Sequence, residues 1–320
     1  MTGEGIGKKS YLCVCLNPVV QKTLVFKGLA KDEVNRAVEH RVDASGKGVN
    51  VTRILTQTGR RAVHLTQAGG PTREWFLSLC AADGLDLRWV ESGSDIRFCY
   101  TLIDAADRSA TELVEEAKPV SSDTGERILA EFDRTLGECG ALIISGTKAA
   151  GFPDDIFPEM SRRAREAGLL VVLDIKGQDL VNSLPSRPDI VKPNLHELLA
   201  TWPFAADGLS FPGAGEESAA PSEAVVKAHV ASIAAELHAR WGSRLVVTRG
   251  SRATWFWDGS ALCEEPVVPR VQINPTGSGD AFTAALAATL AEGGGLREAV
   301  REGNRLGGLN AERLKPGSIV

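Results

Sequence analysis

Short apolar runs punctuate the chain at residues 11–16, 62–66, 141–145, 169–174, 190–192 and 245–248. They are rich in Val, Ile and Leu and do not alternate with polar residues. A strand covered on both faces needs that pattern, so these runs predict buried parallel strands. Between them lie stretches with helical spacing, at 49–58, 74–82, 124–136, 155–167, 224–241, 279–292 and 297–313. Strand alternating with helix predicts an α/β fold, a doubly wound and mostly parallel central sheet flanked by helices. Two segments break the rhythm. Residues 19–38 hold a strand-like Thr-Leu-Val-Phe and a charged continuation, and residues 95–114 hold two strand-like runs around an Asp-Arg-Ser turn. Neither has a helix partner, which predicts a small β-sheet lid. Residues 205–221, rich in Gly, Ala, Pro and Ser, read as a loop. No internal repeat is visible, and the expectation is one domain over 1–320 with the lid segments inserted in it.

Composition narrows the partners. Hydrophobic residues make up 43% and charged residues 24% of the 320, which is ordinary globular usage and excludes disorder as the main state. The formal charge of −5 gives no general attraction to nucleic acid or to an anionic membrane. No apolar run approaches the roughly 18 residues of a membrane helix. The first apolar run is too short for a signal-peptide core, so a cytoplasmic protein is expected. The six cysteines show no metal-ligand spacing and read as buried, reduced thiols.

Several segments carry chemistry. Asn274-Pro-Thr-Gly-Ser-Gly-Asp280 turns into an apolar helix. The amides of Gly277, Ser278 and Gly279 at such a helix start favour an anion, and Asp280 beside them can accept a proton from a hydroxyl. Asp43-Ala-Ser-Gly-Lys-Gly-Val-Asn50 opens a second helix. It is not a Walker A loop, because Gly48 follows Lys47. Gly46 and Lys47 suit an anionic group, and Asp43 and Asn50 suit sugar hydroxyls. In Val191-Lys-Pro-Asn-Leu-His-Glu197, Asn194 and Glu197 share one helical face. They could support hydrated Mg²⁺, and the same spacing is that of a capping box. Val246-Val-Thr-Arg-Gly250 ends a buried strand in a glycine loop, where open α/β sheets bind ligands.

In order and spacing the chain resembles the ribokinase-like, or PfkB, carbohydrate kinases, within them the 1-phosphofructokinase and tagatose-6-phosphate kinase branch. The carriers are Leu16-Asn-Pro, Ser45-Gly-Lys-Gly-Val-Asn-Val-Thr-Arg53, Arg97 with Thr111-Glu112, Lys118-Pro-Val-Ser and Ser145-Gly-Thr. They continue with Leu173-Asp, Val191-Lys-Pro-Asn-x-x-Glu, Val-Thr-x-Gly250, Thr-Gly-Ser-Gly-Asp280-Ala-Phe and Gly317-Ser-Ile. The resemblance implies ATP- and Mg²⁺-dependent phosphorylation of a sugar or sugar-phosphate hydroxyl. Fructose 1-phosphate or tagatose 6-phosphate leads as acceptor. A kinase of an unphosphorylated sugar or nucleoside and a non-catalytic sugar-binding regulator stand as alternatives. It implies that Asp280 is the catalytic base and that the amides of Gly277, Ser278 and Gly279 form the anion hole. Asn194 and Glu197 would support the Mg²⁺ and phosphate environment, Glu197 through water. Thr248, Gly250 and Asn310 would lie at the nucleotide. Gln21, Lys47, Asn50 and Arg97 would lie at the acceptor, joined by Asp43 and Gly46 from the glycine loop; Lys148, in the loop after Ser145-Gly-Thr, is added beside the resemblance as a phosphate contact. The resemblance further implies a homodimer through the lid and leaves a monovalent cation open. The sequence departs from the branch at Gln21, where Asp is usual, at Ser45 in place of Gly, at Lys148-Ala-Ala-Gly, and at Ala253 and Ala285 in place of Gly.

Overall fold

The computed structural model describes residues 10–204 and 221–320. Strand β1 (Ser10–Leu16) opens the large sheet, and β2 (Val19–Phe26) and β3 (Glu39–Ser45) leave it for a small one. Helix α1 (Lys47–Gln57) returns to β4 (Ala62–Ala68), and α2 (Arg73–Ala82) leads to β5 (Asp86–Glu91). Strands β6 (Arg97–Asp104) and β7 (Ser109–Val114) complete the small sheet. The chain then alternates through α3 (Thr124–Leu136), β8 (Cys139–Lys148), α4 (Ile156–Glu166), β9 (Leu170–Asp174), α5 (Gly177–Ser183) and β10 (Ile190–Val191). After α6 (Leu195–Thr201) and α7 (Glu223–Trp241) come β11 (Arg244–Arg249), β12 (Arg252–Trp257), β13 (Leu262–Glu265), α8 (Ser278–Ala291) and α9 (Leu296–Ala311).

The large sheet runs β13-β12-β11-β10-β9-β8-β1-β4-β5. It is parallel from β11 to β5, and β12 and β13 join antiparallel. Strand order reverses beside β1, which pairs with β4 on one side and β8 on the other. In such sheets a crevice opens outside the strand C-termini at the reversal. The continuous apolar runs follow from two cores. Leu12, Val14, Leu142, Ile144, Val171 and Leu173 point to the core under α3–α7. The alternate residues, Tyr11, Cys13, Ala141, Ile143 and Val172, point to the core under α1, α8 and α9. Each strand therefore serves both sides with its period of two.

The small sheet runs β3-β2-β6-β7, with β2 parallel to β6 and the other pairs antiparallel. One face is anchored: Val20 and Ala44 pack on Phe76 and Cys80 of α2, with Phe98 against them. Full burial of a ring such as Phe76 contributes about 2–3 kcal/mol. The opposite face, at alternate positions 19/21, 97/99 and 112/114, looks into a cavity.

Several bounds differ from the sequence reading. The third lid strand, β3, lies beyond residues 19–38 and runs straight into the glycine loop. Strand β5 was not expected; as an exposed sheet edge it carries charged residues rather than an apolar run. Helix α5 was not expected either, being only seven residues long. The predicted loop at 205–221 lies almost wholly outside the described residues. Of the six cysteines, all but the half-buried Cys263 are buried, and all are free thiols. No helix among the described residues is long and apolar enough to cross a membrane.

Candidate active site

Two glycine-started helices meet at the C-terminal ends of the parallel strands. Helix α8 begins at Gly277, whose φ of 85° is left-handed and whose added Cβ would collide with the backbone of Gly317. The turn is held from behind by Asn310, fully buried on α9. Its amide donates to the Thr276 carbonyl at 2.9 Å and to Ser278 Oγ at 3.1 Å. Ser278 N–H is spent on the Pro275 carbonyl. The N–H groups of Gly277, Gly279 and Asp280 have no acceptor among the described residues, as expected of a helix start.

Helix α1 begins at Gly46 and sets Lys47, Asn50 and Arg53 along one stripe, three residues apart. Lys47 Nζ lies 2.8 Å from Glu197 Oε1 and 3.5 Å from Asp174 Oδ1. Asn50 Nδ2 donates to Asp280 Oδ2 at 2.8 Å. Asp174, the last residue of β9, is buried and accepts from Ser145 Oγ at 2.9 Å and Thr283 Oγ1 at 3.0 Å. Its other oxygen faces Lys192 Nζ at 3.2 Å. Glu197 and Asn194 do form a capping box, with Asn194 N–H donating to Glu197 Oε2 at 3.0 Å. Capping and site placement are both realised, because the box fixes Glu197 with its other oxygen on Lys47.

Charge follows from this packing. Burial pushes the Asp280 carboxyl up to about 6, against the pull of Lys47, with Asp174 adding to the rise. For Asp174, burial is outweighed by Lys192 and Lys47, and its pKa is lowered. Glu197 is likewise lowered, because Lys47 outweighs its burial. For Lys47, burial alone would lower the pKa, but Asp174, Glu197 and Asp280 raise it, so it stays charged. Among these three carboxyls, Asp280 is thus the one whose pKa is raised.

Two cavities adjoin these groups. The first, about 950 Å³, is lined by Thr248, Gly250 and the apolar surfaces of Leu199, Val268 and Phe282. The second, about 400 Å³, holds Lys47, Asn50, Asp174, Lys192, Glu197 and Asp280, with Gln21, Arg97 and Glu112 from the lid. Asn194, Thr248 and Gly279 line both. The large cavity suits a flat base with a chain reaching the shared wall.

Across residues 14–319 the sequence matches the pfkB family of carbohydrate kinases. The chain belongs to that family. This pfkB kinase has the fold of Escherichia coli phosphofructokinase-2 in complex with fructose-6-phosphate, with a TM-score of 0.80, 23% identity, and 97% of this chain and 96% of that chain covered. The same E. coli enzyme in complex with potassium gives 0.79 and 23%, covering 96% and 94%. A Thermotoga maritima protein described as a possible 1-phosphofructokinase gives 0.76 and 20%, covering 96% and 93%. The pfkB kinase is therefore an ATP-dependent sugar kinase by family and ribokinase-like by fold.

The residues singled out in the sequence do not all converge. Gly277, Gly279, Asp280, Asn194, Glu197, Thr248, Gln21, Gly46, Lys47, Asn50 and Arg97 line the small cavity, Ser278 and Gly250 the large one. Asn310 lines neither and supports the α8 turn, while its neighbours Gly307, Gly308 and Ala311 face the large cavity. Asp43 lies on the same sheet face as Gln21 but lines neither cavity, and Arg41 donates to it at 2.6 and 2.8 Å. Lys148 lines neither cavity and is paired with Asp179. Sequence reasoning did not assign Asp174, Lys192 or Glu112 to the site. For Asp174 and Lys192 the signal was an acid or cation directly after an apolar run, where parallel strands end; Glu112, inside lid strand β7, carried no such signal.

For Mg²⁺, both Glu197 oxygens are already engaged, by Lys47 and by the Asn194 amide. Among the described residues no group of three His, Cys, Asp or Glu could hold a metal. These side chains fit an ion that keeps its water and is held mainly by phosphate oxygens.

Proposed function

We propose that the protein transfers the terminal phosphoryl group of ATP to a hydroxyl of a sugar phosphate, of the fructose 1-phosphate or tagatose 6-phosphate type, with Asp280 as general base. What carries this reading is the buried Asp280 carboxyl in the small cavity, on a helix start whose Gly277 and Gly279 amides are unspent.

In this mechanism the acceptor hydroxyl sits against Asp280 in the small cavity. The carboxylate takes its proton as the hydroxyl oxygen bonds to phosphorus and the bridging bond to ADP breaks. The Gly277 and Gly279 amides stabilise the charge that spreads over the transferring group. Lys47, fixed between Asp174 and Glu197, adds positive charge beside Asp280. Mg²⁺, held through water by Glu197, would neutralise phosphate charge. The lid covers the acceptor and keeps water from competing.

A phosphate on the acceptor is supported by Arg97, whose buried Nε has no hydrogen-bond partner among the described residues. A second reading, an unphosphorylated sugar or nucleoside, is favoured by the commitment of Lys47 and Lys192 to Asp174 and Glu197, and by Glu112 in the same cavity. ATP consumption with Mg²⁺ against a panel of sugars and sugar phosphates decides. Turnover confined to unphosphorylated sugars overturns the first reading.

We also infer that the lid pairs two copies of the chain. Its outer strands β3 and β7 each have one edge without a partner strand among the described residues, and Leu113 and Val114 on β7 are half exposed. A monomer by sedimentation at micromolar concentration overturns this.

A further inference from the structure

Behind Asp280 lies a guanidinium that touches neither cavity. Arg53 is 1% exposed. Its Nε donates to Asp83 at 2.8 Å, one terminal nitrogen donates to the Ala44 carbonyl, and the other donates to Asn50 Oδ1 at 2.9 Å and to the Pro316 carbonyl at 3.1 Å. Asp83 is held in turn by Lys315. A buried arginine is far from the cheapest way to fill that space, since each of its donors must find an acceptor.

We propose that Arg53 is a positioning residue for the reaction, locking the Asn50 amide so that its NH₂ end faces Asp280. The argument is one of donors and acceptors. A guanidinium only donates, so the Asn50 atom facing Arg53 must be the oxygen. Ser45 Oγ donates to the same oxygen at 3.2 Å. The amide nitrogen is then forced towards Asp280, where it meets a carboxylate oxygen at 2.8 Å. Turned over, the amide would set donor against donor at Arg53 and oxygen against carboxylate at Asp280. Gly317 closes the remaining space, since a Cβ there would run into the Asn50 side chain. The amide is therefore held by Arg53, Ser45 and Gly317, of which only Ser45 lines the small cavity.

A hydrogen bond to the charged form favours that form. The other groups acting on Asp280 are Lys47 of α1, Asp174 of β9 and Lys192 after β10, and Cys15 of β1 also feels its charge. None of them is touched by Arg53 itself. Asn50 is therefore the contact through which loss of the lock reaches Asp280.

The inference rests on Asp280 as base, so its test reads the carboxyl as well as the rate. Arg53→Met, Arg53→Lys and Asp83→Asn are compared with the parent in three measurements: kcat against pH, KM for ATP, and the Asp280 carboxyl titration by carbon-13 NMR. Arg53→Met lowers kcat by about 10²-fold with KM for ATP unchanged. It moves the acid limb of kcat and the carboxyl titration to higher pH by about one unit. Arg53→Lys, which keeps a donor, recovers part of both, and carries the test if Arg53→Met does not fold. Asp83→Asn melts lower but leaves limb and titration in place. A carboxyl titration that moves while the kcat limb stays confirms the lock and overturns Asp280 as base. A titration unmoved in both Arg53 variants, or moved equally by Asp83→Asn, overturns the lock.

Discussion

The two cavities are built from different materials. The larger is walled mainly by apolar surface and by glycines that let backbone come close, with Arg249, Arg252 and Arg270 among its polar residues and no carboxylate among the described ones. The smaller is walled by charges that answer one another: Lys47 and Lys192 against Asp174 and Glu197, with Asp280 left over. A surface of the first kind tolerates single changes, because shape is shared among many contacts. A cluster of the second kind does not, because removing one member leaves its partner buried and charged. In the mechanism proposed above, the larger cavity sets how tightly the nucleotide is held, and the smaller sets whether proton and phosphoryl group move.

The sharpest break between them is Asp280→Ala. It lowers kcat by about 10²–10⁴-fold while calorimetry finds ATP binding unchanged. A near-parental kcat removes Asp280 from its assigned role. The same carboxyl makes a pH statement. Burial pushes the Asp280 carboxyl up to about 6, above the ordinary 3.8 of an aspartate. Its protonation thus favours the folded state, a contribution that is full below the lower value and lost as pH rises through the upper one. Asp280→Asn therefore melts higher than the parent at pH 8 and not at pH 4, and the parent's kcat falls as pH drops below about 6.

Next in size is Lys192→Met. Lys192 and Asp174 are both almost fully buried, so the variant loses about 3–5 kcal/mol in chemical denaturation. A loss under 1 kcal/mol would mean that Lys47 alone balances Asp174. Smaller again is Gln21→Asp. Gln21 donates to Thr101 Oγ1 at 2.9 Å from inside the small cavity. An acid there changes the ratio of kcat/KM between acceptors without changing KM for ATP; an unchanged ratio takes Gln21 out of acceptor recognition. The smallest effect belongs to Lys148→Ala, which leaves both KM values at parental levels because Lys148 lines neither cavity. A raised acceptor KM would show that Lys148 leaves Asp179 when substrate binds.

These contrasts also explain what could be read along the chain. The parallel strands were legible because burial on both faces leaves runs such as Leu-Ile-Ile at 142–144. Helix α3 was predicted at its observed bounds, 124–136, because its apolar positions keep to one face. Strand β5 was not legible, since an edge strand carries charge along an exposed backbone. The glycine-started helices announced themselves through local spacing, which is why Asp280, Lys47 and Asn50 could be named. Asp174 and Lys192 could not be named, because their meeting is made by strand order. Lys148 shows the converse: a cation beside a motif was read as a ligand contact, when a carboxylate 31 residues later had already engaged it.

The C-terminal segment behind Asn50 has a consequence for assembly. Arg53 and Pro316 are 263 residues apart in sequence, yet one closes the cage of the other's helix. Contacts of such separation raise contact order, and this one needs a segment that follows every strand of both sheets in sequence. A nascent chain that has already made both sheets still has a loose amide beside Asp280. Catalytic competence then trails global folding, and a refolding experiment should recover strand signal before it recovers turnover.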